Sequence, residues 1–403
     1  MSKRRIVVSG IGLLLTVVSV ILTACGPAAT PTEAPEAPKE AAAEEPAAQP
    51  AAGEPILFGL AGPMTGSDAD CGIHLEKGVR MAIEEINASG GVNGRPLDIV
   101  VCDDKANPTE ASLCAQRFVS TPDIFAVMGH VNSSCTLAGM PIYEQAGLTA
   151  MSPASTNPEI TKKGWQHFFR TIPHDGLQGP LMAQFAVEEL GAERLAIMYA
   201  SHDYGQGLLD STVPEVPKYG GEVVAVETYA PGVDKDFRAQ LTKIAEAKPD
   251  VLLLLTDYAE GGMITNQRAD VGLGDVPVVA CAACQHDQFI ELAGAPGEGA
   301  ILMVYFDPFK PDDLTQEFRE KYADVYDTDR LPTEHVAYGY ELPYIFKLAI
   351  EKGATKETVH EVLHSVEYTG LTGVTKFDET GELVGKGQAI LEVKDGKLVS
   401  YVR

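Results

Sequence analysis

Residues 56–61 read ILFGLA, a short apolar run that is typical of a buried strand. A loop rich in Gly, Pro, Ser and Asp follows it. Apolar residues then recur at helical spacing until Gly90-Gly91 ends the pattern; they are Leu75, Val79, Ala82, Ile83 and Ile86. A strand that leads through a glycine-rich loop into a helix is the repeating unit of a parallel α/β sheet.

The same alternation of strand and helix patterns continues outward from this unit. Further strand patterns of the first unit lie at Pro96–Cys102, Ile124–Met128 and Leu148–Met151. The alternation restarts after Pro173, with strand patterns at Leu195–Tyr199, Glu222–Glu227, Val251–Leu255, Val276–Ala280 and Ile301–Tyr305. A long helical region and three short strand patterns end the chain. The sequence therefore predicts an α/β fold of two Rossmann-like, doubly wound parallel-sheet lobes joined by a multi-strand hinge.

The overall charge excludes several classes of partner. The 403 residues carry a formal charge of −26 and the sequence pI is about 4.7. Binding to nucleic acid needs a surplus of Lys and Arg to neutralise phosphates, so no nucleic-acid partner is expected. The same surplus is needed for electrostatic docking on an anionic membrane. Hydrophobic residues make up 45% of the chain, which is typical of a globular body.

Motifs for catalysis are absent from the sequence after residue 55. It contains no G-x-S-x-G elbow, no H-E-x-x-H helix and no phosphate loop. The glycine-rich stretch Gly59–Gly66 lacks the spacing of a dinucleotide site. We therefore expect a protein that is not an enzyme and that uses no cofactor and no metal.

The N-terminal residues read as an export signal. Lys3-Arg4-Arg5 precede an apolar core that runs from Ile6 to Leu22. Leu22-Thr23-Ala24-Cys25 then resembles a bacterial lipobox, which predicts a signal peptide over residues 1–24 and a lipid on Cys25. Residues 25–55 are rich in Ala, Pro and Glu, a composition that predicts a flexible tether. An exported body, anchored by lipid to the outer face of the cytoplasmic membrane, is expected.

An ordered set of segments carries a family resemblance over most of the remaining chain. They are 62–66 (GPMTG), 86–97 (INASGGVNGRPL), 103–104 (DD), 129–134 (GHVNSS), 152–158 (SPASTNP), 169–171 (FRT), 203–207 (DYGQG) and 373–378 (GVTKFD). With these segments the sequence resembles the type I periplasmic solute-binding proteins of ABC importers, in particular the receptors for branched-chain amino acids. The resemblance implies the type I periplasmic binding protein fold, with one lobe from residues 56–173 plus 306–388 and the other from 174–305 plus 389–403.

The resemblance also implies a function and partners. A monomeric receptor would capture a small polar ligand, foremost an amino acid of the branched-chain or hydrophobic type, and deliver it to permease and ATPase subunits. A sensor that reports its ligand to a signalling partner would use the same fold. A third hypothesis is an extracellular thiol oxidoreductase that uses Cys281 and Cys284.

The expected ligand contacts follow strand ends in both lobes. Hydroxyl groups and free backbone N–H groups at helix starts can hold a carboxylate, and the segments after two strands of the first lobe supply Ser133, Ser134, Ala154, Ser155 and Thr156. These positions match the carboxylate-binding loops of the family. The second lobe is expected to add Asp175, Tyr204 and Tyr258 by the same resemblance.

Two positions depart from the branched-chain receptors. An acidic residue that binds the ligand ammonium in the family is replaced by Ala282, and a common Tyr is replaced by Cys71. The ammonium would then be met by Asp175, Asp257 or Glu260. Alternatively the ligand has no ammonium, which leaves an amide, a urea-like molecule or a simple carboxylic acid open.

Six cysteines besides Cys25 suggest disulfides in an exported protein. The predicted pairs are Cys71 with Cys135, Cys102 with Cys114, and Cys281 with Cys284. The spacing of the last pair is also that of a redox loop, and His286 nearby suggests a metal ligand, although no fourth ligand for zinc is evident.

Overall fold

The computed structural model describes residues 53–402, which form two α/β lobes. The predicted signal peptide, the lipid site at Cys25 and nearly all of the predicted tether lie outside these residues. Within residues 53–402, no helix combines the length and the apolar character that crossing a membrane requires.

The first lobe is built on a five-stranded sheet, counted over the described residues, in which all neighbouring strands run parallel. Its strands are β1 (Ile56–Gly62), β2 (Leu97–Asp103), β3 (Ile124–Met128), β4 (Ala150–Ser152) and β5 (Phe168–Arg170). They lie in the order β2-β1-β3-β4-β5. The apolar runs form central strands because helices cover both faces of the sheet and bury their side chains.

The helices of the first lobe come from both ends of the chain. Four connect its strands: α1 (Ala69–Ala88), α2 (Pro108–Ser120), α3 (Ser133–Ala146) and the short α4 (Glu159–Lys162). A later helix, numbered α12 below (Glu334–Glu351), packs against α1 and adds Phe346 to the core beside Phe58. A Cβ atom at Gly78 would collide with the carbonyl of Val336, so the two helices pack backbone against backbone.

The second lobe is built on a mixed sheet, which has seven strands within the described chain. Its parallel part contains β6 (Arg194–Ala200), β7 (Glu222–Tyr229), β8 (Val251–Leu255), β9 (Val278–Ala280) and β10 (Ile301–Val304). The connecting helices are α5 (Asp175–Gln184), α6 (Asp203–Thr212), α7 (Val216–Tyr219), α8 (Arg238–Glu246), α9 (Tyr258–Gln267) and α10 (Asp287–Ala293). Strand β8 has the sequence VLLLL and is buried along its whole length, as a central parallel strand must be.

The C-terminal part of the chain adds to both lobes. It contains α11 (Asp313–Tyr326), α12, α13 (Val359–Leu363), a small hairpin of β11 (Tyr368–Gly370) and β12 (Gly373–Thr375), and the strands β13 (Ala389–Lys394) and β14 (Lys397–Ser400). Strand β13 pairs antiparallel with β10 and so extends the second sheet to the order β14-β13-β10-β9-β8-β6-β7. The two-lobed parallel-sheet fold is confirmed, whereas the exact lobe boundaries stay a prediction.

Candidate functional site

The two sheets place their strand-order reversals next to one cleft. Ligands of open α/β sheets bind beyond the carboxyl ends of the strands, at the point where the strand order reverses. In the first sheet that point lies between β1 and β3, and in the second it lies between β6 and β8. The residues that follow these four strands line a shared cleft with about 530 Å³ of empty space, its open mouth included.

The cleft receives side chains from both lobes. Its lining residues are Asp68, Cys71, Val131, Asn132, Ser133, Ala154, Thr156, Ile172, Tyr204, Asp257, Tyr258, Ala282, Ala283, Tyr305, Glu334 and His335. Five of the eight predicted ligand contacts are in this set, namely Ser133, Ala154, Thr156, Tyr204 and Tyr258. The cleft combines apolar surface with a few polar groups, as sites for small molecules commonly do.

Thr156 is the best-positioned hydroxyl of the first lobe. Its side chain is buried, and its hydroxyl makes no hydrogen bond of standard geometry within the described chain. The buried guanidinium of Arg170 holds its loop, because one nitrogen donates to the carbonyls of Ser155 and Asn157 at 3.0 Å each. Glu382 pairs with the same guanidinium. The Asp175 carboxyl lies close enough to act on this hydroxyl without accepting a hydrogen bond of standard geometry, so Thr156 can turn from it to a bound polar group.

Ser155 and Ser134 have other contacts. The Ser155 hydroxyl is buried and lies 2.6 Å from the Thr136 hydroxyl. Its one proton is shared between the carbonyls of His130 and Val131, so it fixes the loop rather than lining the cleft. The Ser134 hydroxyl accepts a hydrogen bond from the backbone N–H of Asp203 in the second lobe at 3.3 Å. It lies at a neighbouring groove between the lobes.

Tyr258 links the lobes across the cleft. Its hydroxyl donates to the carbonyl of Ser67, and its ring stacks on His286 with 4.2 Å between the ring centroids. The Tyr204 ring lines the same wall at the start of α6, and Tyr305 adds a third ring. Aromatic rings of this kind offer a flat apolar face together with one polar atom.

Asp175 is fully buried and is not among the lining residues. Its backbone N–H donates to the carbonyl of Thr156 at 2.9 Å. Burial raises the pKa of the Asp175 carboxyl to about 7, while the Thr156 hydroxyl and the Arg170 guanidinium oppose the rise. Asp175 thus supports the loop of Thr156. Glu260 is also absent from the cleft, because it pairs with Lys235 at 3.0 Å.

Three carboxyl groups do line the cleft, and only that of Asp257 was predicted from the sequence as an ammonium contact. Asp257 precedes α9, Asp68 precedes α1 and Glu334 is the first residue of α12. Asp68 and Glu334 were missed. For Asp68 a signal existed, because it lies in the loop after the first strand. Glu334 follows no strand directly, and the sequence around it gives no indication that it reaches the cleft.

The protonation of these groups is set by burial and by one ion pair. Burial, and then the charge of Asp257, raises the pKa of Asp68 to about 7. Burial raises the pKa of Glu334 to about 7 as well. The Asp257 carboxylate lies 3.0 Å from His202 and raises the pKa of that imidazole to about 9 against the opposing effect of burial. His202 is therefore the cation of an ion pair with Asp257 at neutral pH.

The disulfide predictions need correction. Cys102 and Cys114 form a disulfide between β2 and α2, whereas Cys71, Cys135, Cys281 and Cys284 are free thiols. Cys71 lines the cleft from α1, and Cys135 is buried in α3 outside the cleft lining, so the first predicted pair is not formed. The thiols of Cys281 and Cys284 both donate to the carbonyl of Thr256, at 3.2 and 3.6 Å. The described residues contain no group of three or more His, Cys, Asp or Glu that could hold a metal.

Comparison with known proteins gives the family of this chain. The periplasmic binding protein family matches residues 55–397, which is nearly all of the described part. The chain belongs to the periplasmic binding protein family. This periplasmic binding protein is 33% identical over 338 residues to the leucine-, isoleucine-, valine-, threonine- and alanine-binding protein of Pseudomonas aeruginosa, which covers 82% of this chain and 88% of the relative.

Solved structures agree in fold over the same part of the chain. A leucine-binding protein from Thermotoga maritima has a TM-score of 0.80 at 28% identity, covering 86% of this chain and 98% of the other. An ABC transporter substrate-binding protein from Desulfitobacterium hafniense in complex with Leu has a TM-score of 0.73 at 30% identity, covering 86% of this chain and all of the other. The type I periplasmic binding protein fold that the sequence predicted is therefore confirmed.

Proposed function

We propose that this periplasmic binding protein is an extracytoplasmic receptor that captures an amino acid between its lobes and delivers it to the permease and ATPase subunits of an ABC importer. The observation that carries the proposal is the shared cleft, which combines the buried hydroxyl of Thr156 with aromatic rings of the opposite lobe. A ligand that touches both walls stabilises the closed form, because those contacts exist only when the lobes meet.

The carboxylate of the amino acid would bind at the first lobe. Ser133 begins α3, a helix of 14 residues whose N-terminal N–H groups favour an anion. Thr156 and the loop at Ala154 lie on the same wall. The side chain would rest against Val131, Ile172 and the tyrosine rings, which suits an aliphatic residue such as the leucine bound in the Desulfitobacterium hafniense structure.

Lipid anchoring at Cys25 forms part of the proposal and rests on the sequence alone. The segment Leu22-Thr23-Ala24-Cys25 resembles a lipobox, and a tether would let the body reach a membrane partner. Labelling of the full chain in cells with a clickable fatty acid should mark the wild type and leave Cys25→Ser unmarked. Equal labelling of both proteins would refute the anchor and would leave the receptor proposal intact.

Ligand capture is tested by thermal unfolding of the mature body in the presence of single compounds. A ligand that binds only the folded form stabilises it by mass action, by roughly 2.7 kcal/mol at a ligand concentration of 100 times its Kd. This stabilisation raises the midpoint of thermal unfolding. We expect leucine, isoleucine or valine to raise the midpoint. A rise with amides, urea or aromatic acids, and with no amino acid, would instead favour the other receptor classes and would overturn the proposed ligand.

A further inference from the structure

Three carboxyl groups line the cleft, and they come from both lobes. In the first lobe, Asp68 directly precedes α1 and Glu334 begins α12; in the second, Asp257 directly precedes α9. All three act on the thiol of Cys71, whose pKa burial and then their charges raise well above its ordinary value. Within the described chain, no Lys or Arg lines the cleft. We call Asp68, Asp257 and Glu334 the acidic cluster.

Glu334 is an acceptor that the protein leaves without a complete set of partners. Glu334 is 5% exposed and lines the cleft, and its Oε2 atom has no hydrogen-bond partner within the described residues. A buried carboxylate oxygen without a donor is unfavourable, so the site is suited to a ligand that brings donors. Buried carboxyl groups in proteins are otherwise paired or hydrogen-bonded.

The other two members of the cluster are held in place by neighbours. Asp68 is 8% exposed, and one of its oxygens accepts from the Asn132 amide at 2.9 Å. Asp257 accepts from His202. Each carboxylate has about four lone-pair sites, so both retain acceptor capacity toward the cleft. A primary ammonium has three donors and a positive charge, so it suits a cleft wall of carboxyl acceptors better than a neutral amide or urea does.

We propose that the ammonium group of the ligand binds to the acidic cluster of Asp68, Asp257 and Glu334, which takes the place of the acidic residue that Ala282 lacks. This inference rests on the proposed receptor function and specifies its ligand class. The ligand carries both a carboxylate, held at Thr156, and a primary ammonium. Simple carboxylic acids lack the ammonium, and amides and urea-like molecules lack both groups, so all of them are poor ligands.

The ammonium also changes the protonation of the cluster. The titratable groups that act on the Asp68 carboxyl are Asp257, Glu260 and His202. The titratable groups on which the Glu334 carboxyl acts are Cys71, Tyr305 and Tyr338. With pKa values of about 7, Asp68 and Glu334 are each partly protonated in the empty cleft at pH 7. A bound cation favours the ionised carboxylates, so binding releases protons to the buffer.

Isothermal titration calorimetry on the wild-type protein tests both consequences without any variant. The probes are leucine, 4-methylpentanoate, which lacks the ammonium, and 4-methylpentanamide, which lacks both charges. We expect leucine to bind at least about 100-fold more tightly than either analogue, since loss of a charged hydrogen-bonding group is costly. Titration in two buffers of different ionisation enthalpy at pH 7 should show a release of roughly half to one proton per leucine, falling toward zero at pH 8.5.

Two variants then assign the effect to the cluster. Glu334→Gln and Asp68→Asn should each weaken leucine binding by about 10-fold to 100-fold and reduce the proton release. Glu144→Gln is the matched control; it removes the same charge at the far end of α3, where Glu144 accepts from the backbone N–H of His167 at 3.0 Å. Leucine should bind to this control as to the wild type. Circular dichroism checks that each variant is folded.

The outcomes separate this inference from the receptor proposal. If no amino acid binds to the wild type, the receptor proposal fails. If leucine binds but 4-methylpentanoate binds equally well, or if leucine binding to the wild type releases no protons at pH 7, the acidic cluster is not the ammonium site and the receptor proposal stands. Full affinity of folded Glu334→Gln and Asp68→Asn for leucine would overturn the inference in the same way.

Discussion

Tyr258 of the second lobe donates a hydrogen bond from its hydroxyl to the carbonyl of Ser67 in the first lobe, with an oxygen–oxygen distance of 2.8 Å. Ser67 belongs to the loop after β1, and Tyr258 is the first residue of α9. The tyrosine is 3% exposed. This hydrogen bond therefore joins the two walls of the cleft at one edge, and it forms only when the lobes are close together.

Replacing Tyr258 by Phe should loosen the closed form while leaving the ring in place. The ring stack on His286 is retained, and the hydrogen bond to Ser67, worth about 0.5–1.5 kcal/mol, is lost. We expect ligand affinity to fall by roughly 2-fold to 13-fold, mainly through faster dissociation. Stopped-flow measurement of leucine release checks this expectation.

The control for this change is Tyr219→Phe. Tyr219 ends α7 and packs against the core of the second lobe. Loss of the Tyr219 hydroxyl should leave the dissociation rate of leucine unchanged. An equal effect of both substitutions would mean that the Tyr258 hydroxyl has no special role in closing the cleft.

Thr156 should be the hydroxyl on which ligand affinity depends. Thr156→Ala removes a buried hydroxyl that would donate to the ligand carboxylate, and we expect a loss of roughly 1.5–3 kcal/mol of binding free energy by calorimetry. Thr156→Ser keeps the hydroxyl and should retain most of the affinity. Ser155→Ala should lower the free energy of unfolding more than the affinity, because the Ser155 hydroxyl bonds within the protein. Unchanged affinity of Thr156→Ala would remove this residue from the site.

The fold and one wall of the cleft could be predicted from the sequence because their signals are local. The run at residues 56–61 forms β1, and the hydroxyl residues Ser133 and Thr156 follow strands whose carboxyl ends meet at the cleft. The position of the loops follows from this alternation of apolar runs and glycine-rich turns.

The acidic cluster could not be predicted in full because it depends on long-range packing. Glu334 reaches the cleft only because α12 lies against α1, and this contact joins distant parts of the chain. Likewise, the pairing of cysteines depends on distances that spacing does not encode. The structure forms the pair of Cys102 and Cys114 and leaves Cys281 and Cys284 beside one carbonyl acceptor.

The thiol content of the folded protein is a direct prediction. Within the mature body, alkylation after denaturation without reductant should label four cysteines, and peptide mapping should find Cys102 joined to Cys114. The double variant Cys102→Ser with Cys114→Ser should lose about 3 kcal/mol of unfolding free energy, as expected for a loop of this length. A disulfide between Cys281 and Cys284 in the map would contradict the free thiols of the structure.

Glu334 should make the stability of the empty protein depend on pH. Burial raises its pKa to about 7 from the ordinary value of 4.5, so the folded state binds more protons than the unfolded state between these values. Its contribution to stability is therefore fully present below about pH 4.5 and is lost as the pH rises through 7. The glutamine of Glu334→Gln does not titrate, so the stability of the variant relative to the wild type should increase across this range.

Urea unfolding of both ligand-free proteins at pH 5 and pH 8.5 measures this difference. A shift of 2.5 in the pKa corresponds to about 3 kcal/mol, which is the upper limit of the expected gain of Glu334→Gln relative to the wild type. Leucine should reverse the order at pH 8.5, because its ammonium stabilises the ionised Glu334 of the wild type and has less to bind in the variant. A constant difference between the two proteins at both pH values would mean that Glu334 titrates normally. In that case it would not be the desolvated acceptor that its burial indicates.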